Sequence, residues 1–192
     1  MRKNLEEITA DVAMLRGELP ALECDPGDLP FPGLKDMVRL QAERCGEESI
    51  LECDFSRLTG WIPLPCEELT IDSQGKGLIP LPDDFLMLHS LMLTGWQRPV
   101  TEVGTVEDSS YKRQWQGVKG AEGNLSRPSA FIETGKKGKR MLALYSCISG
   151  AVIAEGHYMP APRFNEADEI EIPEYAYVGM VKRLARCLGE EG

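Results

Sequence analysis

The sequence predicts an α+β protein in which helices from both termini pack together and carry an antiparallel β-rich insertion. Three observations lead there. Residues 3–18, 33–44 and 173–188 set apolar side chains at helical spacing. Between them lie short apolar runs bounded by glycine and proline, the pattern of strands and turns. Helices and strands are segregated along the chain, which indicates α+β and not alternating α/β. The expected organisation is a helical part, residues 1–48 and 173–192, and a β-rich insertion, residues 49–172, together forming one compact unit. At 192 residues the chain is long enough to bury a real core.

The first helix is expected over about residues 3–18, where Leu5, Ile8, Val12 and Leu15 share a face and Glu6, Glu7 and Asp11 lie on others. Proline disfavours the α conformation in the residue before it, so Leu19-Pro20 ends this helix. Prolines 20, 26, 30 and 32 with Gly27 make residues 20–32 an extended loop. A second helix is expected from Gly33 to about Arg44, with Leu34, Met37, Val38 and Gln41 on one side and Gly46 as its stop. Ser49 to Phe55 alternates as a strand does, Trp61-Ile62-Pro63-Leu64-Pro65 is a proline-spaced extended piece, and Glu68 to Asp72 reads as a strand. Ser73 to Gly77 is then the loop of a hairpin.

The next stretch, Gly75 to Val100, organises the rest. Pro80 and Pro82 hold it extended and remove ladder donors, placing it at a sheet edge or strand entry. Asp83 and Asp84 are placed to cap a single helical turn carrying Phe85; a metal or acid pair is the rarer use of adjacent carboxylates. Leu86 to Leu93 is apolar on almost every side chain, which fits a covered strand or a short buried helix, and periodicity does not decide between them. His89, inside this run, reads as a hydrogen-bonded core residue. Thr94-Gly95-Trp96 is a turn, and Arg98-Pro99-Val100 starts another extended piece.

Beyond it, Thr101-Glu102-Val103 is short and extended. Residues 107–115 place acids before bases, the order a helix dipole favours, and 117–123 is a glycine-rich loop. Pro128 to Glu133 and Arg140 to Tyr145 are strands around Gly135-Lys136-Lys137-Gly138, and Ala151 to Tyr158 is another, stopped by Pro160 and Pro162. Glu169 to Ile172 leads into the last helix, which Pro173 opens because its missing N–H would have no partner there. Val178, Val181, Leu184, Ala185 and Leu188 form its stripe and Gly189 closes it.

The pattern Gly75-x-Gly77-x-Ile79-x-Leu81-Pro82-x-Asp84-Phe85-Leu86-x-Leu88, followed by Gly95-Trp96 and Arg98-Pro99-Val100, resembles the central signature of bacteriophage head-to-tail adaptor proteins. The likeness is centred on these residues, thins toward the C-terminus and is weakest over the N-terminal part. It is a pattern of structural residues. It implies a helical part from both termini carrying a β-rich insertion, and a phage or prophage protein that docks as a homo-oligomeric ring between portal and tail, near the DNA exit channel. Phage portal and tail proteins are the implied partners, with packaged DNA close by. Such a protein works in the host cytoplasm and then in the virion. The alternative from the residues alone is a β-rich ligand-binding module with an aromatic-lined cleft for a glycan or peptide.

Composition excludes some classes. A net charge of −10 argues against a general nucleic-acid binder. The charge is uneven: residues 1–72 hold 16 acidic and 7 basic side chains, and residues 111–140 hold 8 basic and 2 acidic. These opposite patches suit packing against copies of the chain or a partner, and equally suit two unrelated solvated surfaces. No apolar run approaches the ~20 residues a membrane span needs, and the acidic residues after Arg2-Lys3 do not fit a signal peptide. Cysteines 24, 45, 53, 66, 147 and 187 show no Cys-x-x-Cys spacing, so no metal and no cofactor is expected, and the thiols are expected to be reduced. No nucleophile elbow, phosphate loop or His-Glu-x-x-His motif occurs. Cys147 and His157 lack a recognisable orienting third group, and no enzymatic activity is expected. The candidate site is therefore an interface. Trp96 and Arg98 are either interface anchors or a core tryptophan beside a surface arginine. Lys136, Lys137, Lys139 and Arg140 form a basic hairpin tip, which is usually a solvated surface but inside a ring suits packaged DNA or an acidic partner.

Overall fold

A computed structural model describes residues 1–17, 33–65, 69–73, 75–105, 107, 125–135 and 138–189. In chain order its elements are β1 (Arg2–Asn4), α1 (Leu5–Arg16), α2 (Leu34–Glu52), a 3-10 turn (Phe55–Arg57), β2 (Ile62–Pro63), β3 (Thr70–Ile71) and β4 (Gly77–Pro80). There follow β5 (Phe85–Leu93), β6 (Val103–Thr105), β7 (Ser129–Thr134), β8 (Arg140–Tyr145), β9 (Ile153–Pro160), β10 (Glu169–Glu171) and α3 (Glu174–Gly189). The fold is α+β, with helices at both ends of the chain. It divides into two units, Met1–Gly60 with Ala161–Gly192, and Trp61–Pro160. The expected extended loop at 20–32, all but Glu107 of the expected helix at 107–115, and the glycine loop at 117–123 lie outside the described residues.

The helical unit is tied at its start by a strand the sequence does not announce. Arg2, Lys3 and Asn4 pair antiparallel with Glu171, Ile170 and Glu169, so α1 begins at Leu5 and not Lys3. Asn4 closes β1 and caps α1 at once. Its side chain accepts from the Glu7 N–H at 2.8 Å, and the Glu7 carboxylate accepts from the Asn4 N–H at 3.0 Å, a reciprocal box that satisfies two orphan donors. Leu5, Ile8, Val12 and Ala13 are buried, whereas Leu15, expected on the same stripe, is exposed.

α2 corrects the sequence reading most. It does not stop at Gly46 but continues to Glu52, so Ser49 to Phe55 is not a strand. Gly46 is there for closeness: a Cβ at this position would sit 2.9 Å from Pro162 Cγ. Ser49 is satisfied within the helix, its hydroxyl donating to the Cys45 carbonyl at 2.7 Å. In α3 the buried stripe is Ala176, Tyr177, Met180, Val181, Leu184 and Leu188, while Val178 faces out. The N–H groups of Ala176 and Tyr177 both donate to the Pro173 carbonyl at 3.0 Å, and α3 begins at Glu174, so Pro173 stands at the N-cap, one residue before the first helical position expected for it. With α2 and the 3-10 turn completing the helical unit, the division falls at 60/61 and 160/161. The sequence predicts boundaries at 48/49 and 172/173, in one compact unit.

The β unit contains a three-stranded sheet in the order β2-β9-β5 and a five-stranded sheet in the order β3-β4-β8-β7-β6. Every pair is antiparallel except β6 with β7, which is parallel. The open alternative at Leu86–Leu93 resolves as the strand β5, irregularly registered with β9 at three places. Asp83 and Asp84 form a turn, not a helical turn: the Phe85 N–H donates to the Pro82 carbonyl at 3.0 Å and the chain goes straight into β5. Pro160 is the last residue of β9 and does not stop it short. Ile79, Leu81, Phe85, Leu88, Leu91, Leu93, Trp96 and Val100 share one core with Leu142, Leu144 and Tyr158. No helix among the described residues is long and apolar enough to cross a membrane.

Candidate functional site

Each residue proposed for an interface has a definite place in the β unit, apart from Lys136 and Lys137, which lie outside the described residues. Trp96 is not a surface anchor. The turn Leu93–Trp96, made by Gly95 at φ 92° and closed by the Trp96 N–H on the Leu93 carbonyl at 3.1 Å, folds the indole inward. There it is buried, and its ring N–H donates to the Ser146 carbonyl at 3.0 Å. Arg98, two residues on, is exposed. It lines a groove of about 630 Å³ walled by residues 98–104 and 128–131. Phe131 is the aromatic residue among these, and it is buried.

The basic tip divides as well. Lys139 is exposed and, with Leu81, Pro82, Asp83, Gly138 and Arg140, lines a smaller groove of about 260 Å³. Arg140 is partly committed to structure. Its guanidinium lies 5.7 Å from the centre of the Phe85 ring and donates to the Phe85 carbonyl at 3.1 Å, holding the entry of β5 against β8. Arg98, Lys139 and Arg140 are all exposed, and Arg140 is in addition tied to Phe85, which leaves Arg98 and Lys139 as the cations without that tie.

The acidic side of the expected complementarity is redistributed by the fold. Counted by unit, the helical unit holds 20 acidic and 11 basic residues, a balance of −9, and the β unit 11 acidic and 10 basic, a balance of −1. Much of the acidic charge of α2 is answered locally. Arg163 meets Glu43 at 3.5 Å and Glu47 at 2.5 Å. Arg183 meets Glu48 at 3.3 Å and also pairs with Glu52. Arg39 pairs with Asp168. These pairs are partly exposed, so each is worth little to stability. The unit nonetheless keeps its net negative balance.

No known family model and no curated protein matches this chain.

Both histidines of the chain come together on adjacent strands, which no spacing in the sequence signals. His89 is half-buried, not a core residue as expected. Its ring lies 4.6 Å from Trp61 and 6.3 Å, edge-on, from His157, and its Nδ1 is 3.1 Å from the Ser90 hydroxyl. His157 Nδ1 is 3.6 Å from a Glu155 carboxylate oxygen. Among the described residues no group of three or more His, Cys, Asp or Glu side chains is arranged to hold a metal ion. Cys147 is buried and its Sγ donates to the Leu144 carbonyl at 3.8 Å; burial pushes its thiol up to about 11, the opposite of an activated nucleophile. Lys76 and Glu133 pair at 2.8 Å with the Tyr145 hydroxyl donating to the same carboxylate at 3.2 Å, which ties the β3–β4 turn to β7 and β8. Nothing in this group positions a base against a nucleophile.

Proposed function

We propose that the chain is a structural phage or prophage assembly protein, a head-to-tail adaptor that forms a homo-oligomeric ring between portal and tail. The reading rests on the resemblance carried by residues 75–100, and one observation supports it. The signature residues Ile79, Leu81, Phe85, Leu88, Trp96 and Val100 are all buried in a single core. They specify a scaffold, as a signature of structural and not catalytic residues should. A helical unit built from both ends of the chain, interrupted by a β unit, is also the arrangement the resemblance implies. On this reading the protein is not an enzyme, takes no cofactor, and passes from host cytoplasm into the virion.

Ring contacts are heterologous, so each copy presents one patch to the neighbour on one side and a different patch to the other. The negative helical unit and the outward cations Arg98 and Lys139 supply opposite signs for such contacts with portal, tail or neighbouring copies. The test is to mix the purified chain with the portal protein encoded beside it and to look for a co-sedimenting ring. Arg98→Glu and Lys139→Glu should weaken recruitment, more visibly at low salt, where screening is least. If portal particles recruit the chain at no salt concentration, the adaptor reading is wrong. The β-rich ligand-binding module would then be the better reading, with the Arg98 groove as its site.

A further inference from the structure

The facing sides of α2 and α3 bring two cysteines together across the helical unit. Small residues set the approach. Gly179 of α3 lies so close to Ser49 that a Cβ on the glycine would be 3.3 Å from the serine side chain, and Gly46 of α2 is similarly close to Met180 Sδ at 3.4 Å. Arg183, one turn beyond Gly179, reaches Glu48. Contacts at 49 with 179 and at 48 with 183 run in opposite senses along the two helices, so they are antiparallel. One turn before Ser49 on α2 is Cys45, and one turn after Arg183 on α3 is Cys187. Residues four apart share a helix face, so both thiols project into the same seam, and the Cys187 thiol lies beside that of Cys45. Cys45 is fully buried and Cys187 half-buried.

We propose that Cys45 and Cys187 are a redox modification site, forming an intramolecular disulfide that staples α2 to α3 when the chain meets an oxidising disulfide such as oxidised glutathione. This goes beyond the adaptor reading and does not depend on it. The chemistry proceeds in two exchanges. Cys187, the accessible thiol, attacks one sulfur of the glutathione disulfide as its thiolate; that S–S bond breaks, one glutathione leaves, and a mixed disulfide remains on Cys187. The Cys45 thiolate then attacks the Cys187 sulfur and expels the second glutathione. The two protons lost by the protein thiols end on the two released glutathione thiols, and the protein's loss of two electrons reduces one glutathione disulfide. The second exchange is the slow one. Burial raises the Cys45 thiol and still acts once Cys187 carries glutathione, so little thiolate is present near neutrality and the closing step accelerates as pH rises.

The experiment treats the full chain with oxidised glutathione over a range of mildly alkaline pH, traps free thiols by alkylation, and maps peptides without reduction. The expected product has lost two hydrogens and contains one cross-linked pair, Cys45 with Cys187. It unfolds at a higher temperature than the reduced chain, and dithiothreitol reverses the shift. Cys45→Ser should stall with glutathione on Cys187, whereas Cys187→Ser should leave Cys45 unmodified. The peptide map of the unsubstituted chain decides the matter even if a variant fails to fold. A persistent glutathione adduct on Cys187, a bond from either residue to another cysteine, or no modification at either position overturns the proposal.

Discussion

The indole N–H of Trp96 donates to the carbonyl of Ser146 at 3.0 Å, joining the turn after β5 to the end of β8. Ser146 itself has φ 66°, a left-handed conformation that non-glycine residues rarely adopt. The bond therefore fastens a bend that the local backbone does not favour. Trp96→Phe keeps most of the ring but leaves that carbonyl without this donor. It should cost about 1–3 kcal/mol, read as a lower urea midpoint with unchanged slope. A midpoint equal to that of the unsubstituted chain would show that the bond contributes nothing.

Phe85 carries a second prediction. It is buried, stacks on Tyr158 with ring centres 5.6 Å apart, and has the Arg140 guanidinium over its ring. Phe85→Ala should cost about 3–5 kcal/mol. Thermal unfolding of the variant checks this, and an undiminished midpoint would remove Phe85 from the core of the signature.

Alkaline pH should destabilise the β unit through Tyr158. Burial, and next its hydrogen bond to the Asp84 carboxylate at 3.1 Å, raise its phenol to about 12 from an ordinary value of 10. The folded state holds this proton where the unfolded state has begun to lose it. The stabilisation is therefore full below about pH 10 and is lost as pH rises through about 12. Tyrosinate absorbance should show a phenol, lost in Tyr158→Phe, titrating above the ordinary tyrosine range, as Tyr177, buried and bonded to Asp11 in the helical unit, also should, and Tyr158→Phe should flatten the fall in stability over that window. A Tyr158→Phe profile parallel to that of the unsubstituted chain would count against the assignment.

Gly46 supplies a fourth test because two effects oppose each other there. Alanine in mid-helix is worth about 1 kcal/mol over glycine, but its methyl would lie 2.9 Å from Pro162 Cγ, and overpacking costs about 1–3 kcal/mol. The close contact is with a proline ring, which yields less than a flexible side chain, so Gly46→Ala should lower the unfolding midpoint. A higher midpoint would mean that Gly46 weakens the helix without serving its packing.

The same glycine shows why part of the fold was illegible in the sequence. Helices α1 and α3 declared themselves because Leu5, Ile8 and Val12, and Val181, Leu184 and Leu188, are bulky and regularly spaced. The buried side of α2 is Val38, Ala42, Cys45, Gly46, Ser49 and Ile50, and its middle is made of small residues that allow a close approach and carry little hydrophobic signal. Gly46 then looked like a stop, and Ile50 with Cys53 like alternation. The β7–β8 hairpin was readable from Gly135 and Gly138 at its turn, whereas β1 was not, because its three residues are extended only through pairing with β10. For the candidate site, exposure of Arg98 was legible as one of two options. The fate of Arg140 was not, since its partner Phe85 is 55 positions away. The meeting of His89 and His157 depends on irregular β5–β9 register, which no local pattern encodes.

The helical unit is assembled from both ends of the chain, and this fixes an order of events during synthesis. The strands from Trp61 to Pro160 leave the ribosome as one continuous stretch, so the β unit has all its parts before the helical unit does. Helices α1 and α2 emerge first but lack the face that α3 provides. At about 5–20 residues per second, the small-residue side of α2 waits on the order of ten seconds for Met180 and Gly179. During that interval a nascent chain exposes Val38, Ala42 and Ile50 to whatever is near. Holdase chaperones, or the same surface on a neighbouring nascent chain, are what it would meet first. A chain cut short before α3 should therefore be degraded or aggregate through its N-terminal helices while its β unit folds normally.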